Sequence, residues 1–149
     1  MILDTSIIIA AERETFDLDG LLLAAGDDPV AIAAITATEL LHGVERARDE
    51  GIRTRRHLLV ESILDTFPVI PFGLQEARVH ARLWAALAAK GRMIGAHDLQ
   101  VGATCLSLGS AVATLNATEF RRVPGLSLVP VGAFHRVAPK GSRPKKKPK

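Results

Sequence analysis

Tyrosine is absent from this chain, cysteine and tryptophan occur once each, and aromatic residues make up only 4% of it. A single cysteine, Cys105, excludes a disulfide framework and any cysteine-based zinc site. It reads instead as a small buried residue of a helix. So few rings argue against a protein that binds nucleic acid by stacking bases on exposed aromatics. Long apolar runs are missing too. The stretch from Ile7 to Ala11 is far too short to cross a bilayer, and the opening MILDTSIIIAAERE has no basic region and an acid at position 4. Neither a signal peptide nor a membrane anchor is expected, and the chain should act in a reducing cytoplasm. No GxGxxG follows the first apolar run, so dinucleotide binding is not indicated. None of the five histidines falls in an HExxH or comparable metal spacing.

What is present suits one α/β domain. At 149 residues the chain can bury a sizeable core, and 48% of it is apolar, chiefly Ala, Leu, Ile and Val. Net charge is +3 but uneven: the last ten residues, KGSRPKKKPK, hold six of the 19 basic side chains and no acid. The rest carries thirteen basic and sixteen acidic groups, a formal charge of −3. A folded domain over residues 1–135 and a basic, disordered tail over 136–149 are therefore expected, the composition turning to Lys, Pro, Gly and Ser from Pro139.

Apolar runs and turn signals alternate. Met1 to Leu3 reads as a strand, Ile7 to Glu12 as a helix, and Asp17 or Asp19 to Ala25 as a second helix closed by Gly26. Val30 to Ile35 is a strand covered on both faces. Thr36 to Glu50 is helical and stopped by Gly51, and Thr54 to Asp65 is helical again. Val69 and Ile70, bracketed by prolines, make a short strand near a sheet edge. Helices follow over Leu74 to Lys90 and Ala96 to Leu108. Ala111 to Leu115 is a strand, Ala117 to Arg122 a helical turn, and Leu126 to Val131 the last strand. The order implies a mostly parallel sheet of four or five strands.

Four carboxylates fall where strands end or helices begin: Asp4, Glu39, Asp98 and Glu119. The carboxyl ends of parallel strands form the ligand crevice, which would bring these acids together. Each also has a local explanation. Asp4 suits a helix cap, Thr36-x-x-Glu39 and Asn116-x-x-Glu119 suit capping boxes, and Asp98 suits a first helical turn. His97 reads as a surface or loop imidazole. Jointly the acids are harder to explain as caps, because two carboxylates about 5 Å apart repel by roughly 3 kcal/mol at an effective dielectric near 20. A divalent cation would relieve that and orient a phosphate.

In order, MILDTS, TATEL, HDLQVGAT and TLNATEF resemble the motifs of PIN-domain ribonucleases, specifically the VapC-type toxins of bacterial toxin–antitoxin pairs, over about residues 1–133. The resemblance implies a three-layer α/β/α fold and Mg²⁺-dependent endonucleolytic cleavage of RNA, often tRNA or rRNA, with Mn²⁺ as a substitute. Carried over by position, the acids are Asp4, Glu39, Asp98 and Glu119, with Thr5, Ser6, Thr114 and Asn116 orienting them. Asn116 stands where some relatives have Asp, which would weaken a second metal and leaves one- and two-metal mechanisms open. Further implications are a VapB-type antitoxin and a homodimer; the apolar residues of the Thr36–Glu50 and Thr54–Asp65 helices are the candidate surface, although core packing accounts for most of them. Arg46, Arg48, Arg53, Arg55 and Arg56 are candidates for RNA phosphates, or simply a solvated helix face.

Two other readings compete. A catalytically weak PIN-like module would bind RNA or a partner without cutting, and Asn116 favours it. A haloacid-dehalogenase-like phosphatase would need a second Asp two residues after Asp4, where Ser6 stands.

Overall fold

A computed structural model describes residues 1–137. Within them four short strands, β1 (Ile2–Leu3), β2 (Ala31–Ala33), β3 (Val69–Ile70) and β4 (Val112–Ala113), pair only in parallel, in the order β3-β2-β1-β4. Their brevity and β-branched or small residues suit a sheet buried on both faces. β3 is an edge strand, as its flanking Pro68 and Pro71 require.

Seven helices of the described residues cover the sheet: α1 (Thr5–Glu12), α2 (Leu18–Ala25), α3 (Ala34–Glu45), α4 (Glu50–Thr66), α5 (Leu74–Ala89), α6 (Ala96–Leu108) and α7 (Ala117–Phe120). On one face Leu3, Ile7, Ile8, Ile32, Leu40 and Ile63 pack with Phe16 and Phe67. On the other, Ile2, Val112 and Phe120 meet Val101 and Cys105 of α6. A third cluster, Leu83, Leu87, Leu99 and Val123, joins α5 to α6. Each such fully buried aliphatic contributes about 1.5–3 kcal/mol of burial energy. α6 ends at Gly109, whose φ of +63° places it in the left-handed region that glycine adopts without strain.

This is the expected three-layer α/β/α architecture, with three local corrections. α3 starts at Ala34, so Thr36 is a buried residue of its first turn, its hydroxyl without a partner, and the Thr36–Glu39 capping box does not form. Gly51 stops nothing: α3 ends at Glu45, and Asp49 caps α4 by accepting from the Ile52 N–H at 2.8 Å, which makes Gly51 part of the new first turn. The expected last strand, Leu126–Val131, is a single bridge from Leu128 to Val112; Gly125 at φ +77° turns into it and Pro130 cannot donate beyond it. Farther on, His135 makes a separate antiparallel bridge to Phe16, and the Arg136 N–H donates to the Thr15 carbonyl at 2.9 Å. The expected composition break from Pro139 and nearly all of the tail lie outside the described residues. Among those described, no helix is long and apolar enough to cross a membrane.

Candidate metal and nucleic-acid site

Strand order places the site. β2 and β3 lie to one side of β1 and β4 to the other, so the chain connections diverge between β1 and β4 and open a crevice at their carboxyl ends. Asp4 follows β1 there, and Thr114 to Asn116 follow β4.

Asp4 occupies the N-cap position of α1, yet its carboxylate makes no cap bond. It is 5% exposed, and its Oδ2 accepts from Ser6 Oγ at 2.6 Å and Thr114 Oγ1 at 2.8 Å. Ser6 Oγ in turn accepts from the Leu115 N–H at 3.0 Å, and Thr114 Oγ1 from the Asn116 N–H at 2.9 Å. These hydroxyls tie the two loops together and aim the buried acid.

Glu39 sits in the second turn of α3 and has both oxygens engaged: Thr5 donates to Oε2, and His97 Nδ1 lies 2.7 Å from Oε1. Asp98 is the third residue of α6, with Oδ2 accepting from Asn116 Nδ2 at 3.0 Å. Asn116 is the N-cap residue of α7 by position, but its side chain bonds Asp98 rather than the helix. Glu119, third in α7, pairs with Arg122 at 3.5 Å, and Arg122 also donates to the Met93 carbonyl at 3.1 Å.

Burial, then the charges of Asp4, Glu119 and Glu39, push the Asp98 carboxyl up to about 6, with the Asn116 amide partly opposing them. Four acids spread over 116 positions thus share one electrostatic neighbourhood. Among the described residues no Lys or Arg pairs with Asp4, Glu39 or Asp98. Nor do any three His, Cys, Asp or Glu side chains there gather tightly enough to hold a metal unaided; Glu39 bonds His97, and Glu119 pairs with Arg122. The donor set is all hard oxygen, and Mg²⁺ is commonly held through one or two carboxylates while keeping several waters. Asp4 and Asp98 fit that pattern. Cys105 does not belong to the site: it is fully buried, and burial pushes its thiol up to about 12.

The basic candidates divide. Arg53 donates from Nε and Nη2 to the Ala47 carbonyl at 3.3 and 3.0 Å, and Arg56 bonds the Gly43 carbonyl and pairs with Glu12. Both brace the α3–α4 connection. Arg46, Arg48 and Arg55 are exposed and have no ion-pair partner among the described residues. Arg46 and Arg56 also line a groove of about 140 Å³ that reaches Glu39. Two contacts of the site escape sequence reasoning. His97 lies in no metal spacing, although its place directly before a first-turn acid is a usable signal. Arg122 stands three residues after Glu119, the spacing of a helical ion pair.

Residues 1–126 match the family model of the PIN domain. The chain is 36% identical to a Ribonuclease VapC of Rickettsia bellii over 88% of its own length and 96% of that protein's. It is 31% identical to a tRNA(fMet)-specific endonuclease VapC of Salmonella typhimurium, covering 78% and 80% of the two chains. Among solved structures, VapBC2 from Rickettsia felis bound to a DNA fragment from its promoter superposes with a TM-score of 0.78 at 26% identity, over 86% of this chain and 96% of that one.

Proposed function

The chain belongs to the PIN-domain family, in its VapC ribonuclease branch, and on that footing we propose that it is a divalent-metal-dependent endoribonuclease acting as the toxin of a toxin–antitoxin pair. One observation carries the metal dependence: Asp4 and Asp98 are linked through Thr114 and Asn116, which bond one acid each and one another, in a neighbourhood shared with Glu39 and Glu119. Carboxylates gathered without a Lys or Arg beside Asp4 or Asp98 favour a hard cation.

Asp4 and Asp98 would hold the ion, with Glu39 and Glu119 contributing directly or through water. A bound divalent ion supplies charge neutralisation at the phosphate and a water of lowered pKa. Ser6 and Thr114 fix the direction of Asp4, Thr5 that of Glu39, and Asn116 that of Asp98. Asn116 adds no charge, which favours a single firmly held ion. Arg46 and Arg55, unpaired among the described residues, suit RNA phosphates better than Arg53 and Arg56, which have backbone work to do. The name of the Salmonella relative supports tRNA as the substrate class. The VapBC2 likeness supports a VapB-type antitoxin. The exposed apolar side chains Leu41, Ile52 and Leu58 on α3 and α4 support a homodimer surface.

Sequencing of RNA ends after induction of the wild type beside Asp4→Ala tests the reading. Discrete new ends in the wild type alone are expected. Identical ends in both would sink it and favour a non-cutting RNA- or partner-binding module.

A further inference from the structure

We propose that His97 is a positioning residue whose Nδ1–H fixes the Glu39 carboxylate in one orientation beside the acid cluster. The inference rests on the nuclease reading for its catalytic consequence, though not for the contact itself. His97 Nδ1 stands 2.7 Å from Glu39 Oε1, while Thr5 takes Oε2. A free glutamate side chain samples many rotamers, and ordering it costs up to about 1.5–2 kcal/mol of conformational entropy. Two fixed donors, one on each oxygen, meet that cost before any ion or substrate arrives.

The partners come from different elements, which makes the contact more than local. Thr5 opens α1, Glu39 lies on α3 and His97 is the second residue of α6. A single turn of α6 therefore supplies an acid, Asp98, and the group that aims another acid, Glu39. The ring is about half exposed, with its side chain 55% accessible, so it is not there to fill core space. An ionised carboxylate only accepts, so the contact requires Nδ1 to carry the hydrogen, and in the neutral ring that selects the Nδ1–H tautomer.

Imidazole ¹⁵N spectra at pH about 8.5, where a free histidine is neutral, read that tautomer directly. The wild type should show Nδ1–H at His97, and Glu39→Ala should return it to the mixture of a free side chain. His97→Ala should weaken Mn²⁺ binding, measured by calorimetry, and lower kcat for RNA cleavage by about 10-fold or more, the scale for groups that orient ligands, with KM little changed. His97→Asn, whose amide sits where Nδ1 was, should recover most of both, whereas His97→Gln should not. In a Glu39→Ala background, His97→Ala should cost nothing further. An Nε2–H tautomer in the wild type overturns the proposal, as does full Mn²⁺ affinity and kcat in His97→Ala, or an Asn variant no better than Ala. A wild type that neither binds Mn²⁺ nor cuts RNA would instead defeat the nuclease reading, and the tautomer would still decide whether His97 holds Glu39.

Discussion

The two ends of the sheet differ in a way that cavity size does not anticipate. At the amino ends of the strands a cavity of about 520 Å³ opens among Met1, Leu21, Pro29, Ala111, Pro130 and Phe134, with Asp28 as its one carboxylate side chain. At the carboxyl ends a cavity of about 470 Å³ flanks Thr114 and Leu115, and a groove of about 140 Å³ between α1, α3 and α4 reaches Glu39. Neither takes in Asp98 or Glu119, yet the charges of all four acids meet at this end, beside their hydroxyl and amide donors and His97. Chain direction accounts for the contrast. Strands that run parallel hand the chain to helix N-termini at one end only, and Asp4, Asp98 and Glu119 each stand at the cap or first turn of a helix, where the dipole favours negative charge. The amino end receives helix C-termini and apolar loops. Volume follows from packing gaps, whereas chemistry follows from polarity of the fold.

The sharpest test of this contrast removes one carboxylate from each end. Asp98→Asn keeps the shape and the contact to Asn116 but removes the charge, and should lower RNA cleavage by about 10²–10³-fold, the scale of losing one electrostatic contact to a transition state. Asp28→Asn, on the roomier cavity, should cleave at the wild-type rate. Equal losses in both variants would erase the distinction between the ends.

A metal titration sharpens it without relying on activity. A ligand that binds only the folded state at about 100 times its Kd stabilises by about 2.7 kcal/mol. Mn²⁺ should therefore raise the melting temperature of the wild type and of Asp28→Asn alike, and leave Asp98→Asn nearly unmoved. A shift that survives in Asp98→Asn would place the ion elsewhere.

The same contrast separates what is legible in the amino-acid sequence from what is not. Alternation of apolar runs with Gly and Pro signals conveys the parallel architecture, because each element's burial is written in its own residues. The acids can be picked out because a carboxylate just after an apolar run needs a reason. Contacts between elements are not legible. Asn116 in a capping position bonds Asp98 across the crevice, and His97 bonds Glu39 across two helices. Thr36 shows the limit of motif logic: its spacing to Glu39 fits a capping box, but Ala34 already begins the helix and the box has no end to cap. The expected last strand fails for a similar reason, since an apolar run flanked by Gly125 and Pro130 can bridge a sheet edge at one residue without building a ladder.

The smallest effect concerns stability, and it runs opposite to activity. Asp98 titrates near 6 in the fold, above the ordinary value of about 3.9 expected in the unfolded chain. Between those values the folded state holds the extra proton, so its stability falls as pH rises from about 4 to about 6 and stays lower above. Removing the charge should therefore stabilise the metal-free protein at neutral pH. The melting temperature of Asp98→Asn should exceed that of the wild type by about 1–4 °C at pH 7.5, a modest figure because solvent screens a half-exposed group. The difference should shrink as pH falls and vanish below about pH 4, where both side chains are neutral. With Mn²⁺ added the order should reverse, since only the wild type gains from the ion. A variant less stable than the wild type at pH 7.5 without metal would mean that burial and the neighbouring acids together do not penalise the Asp98 charge, and the carboxyl end would lose the feature that sets it apart from the amino end.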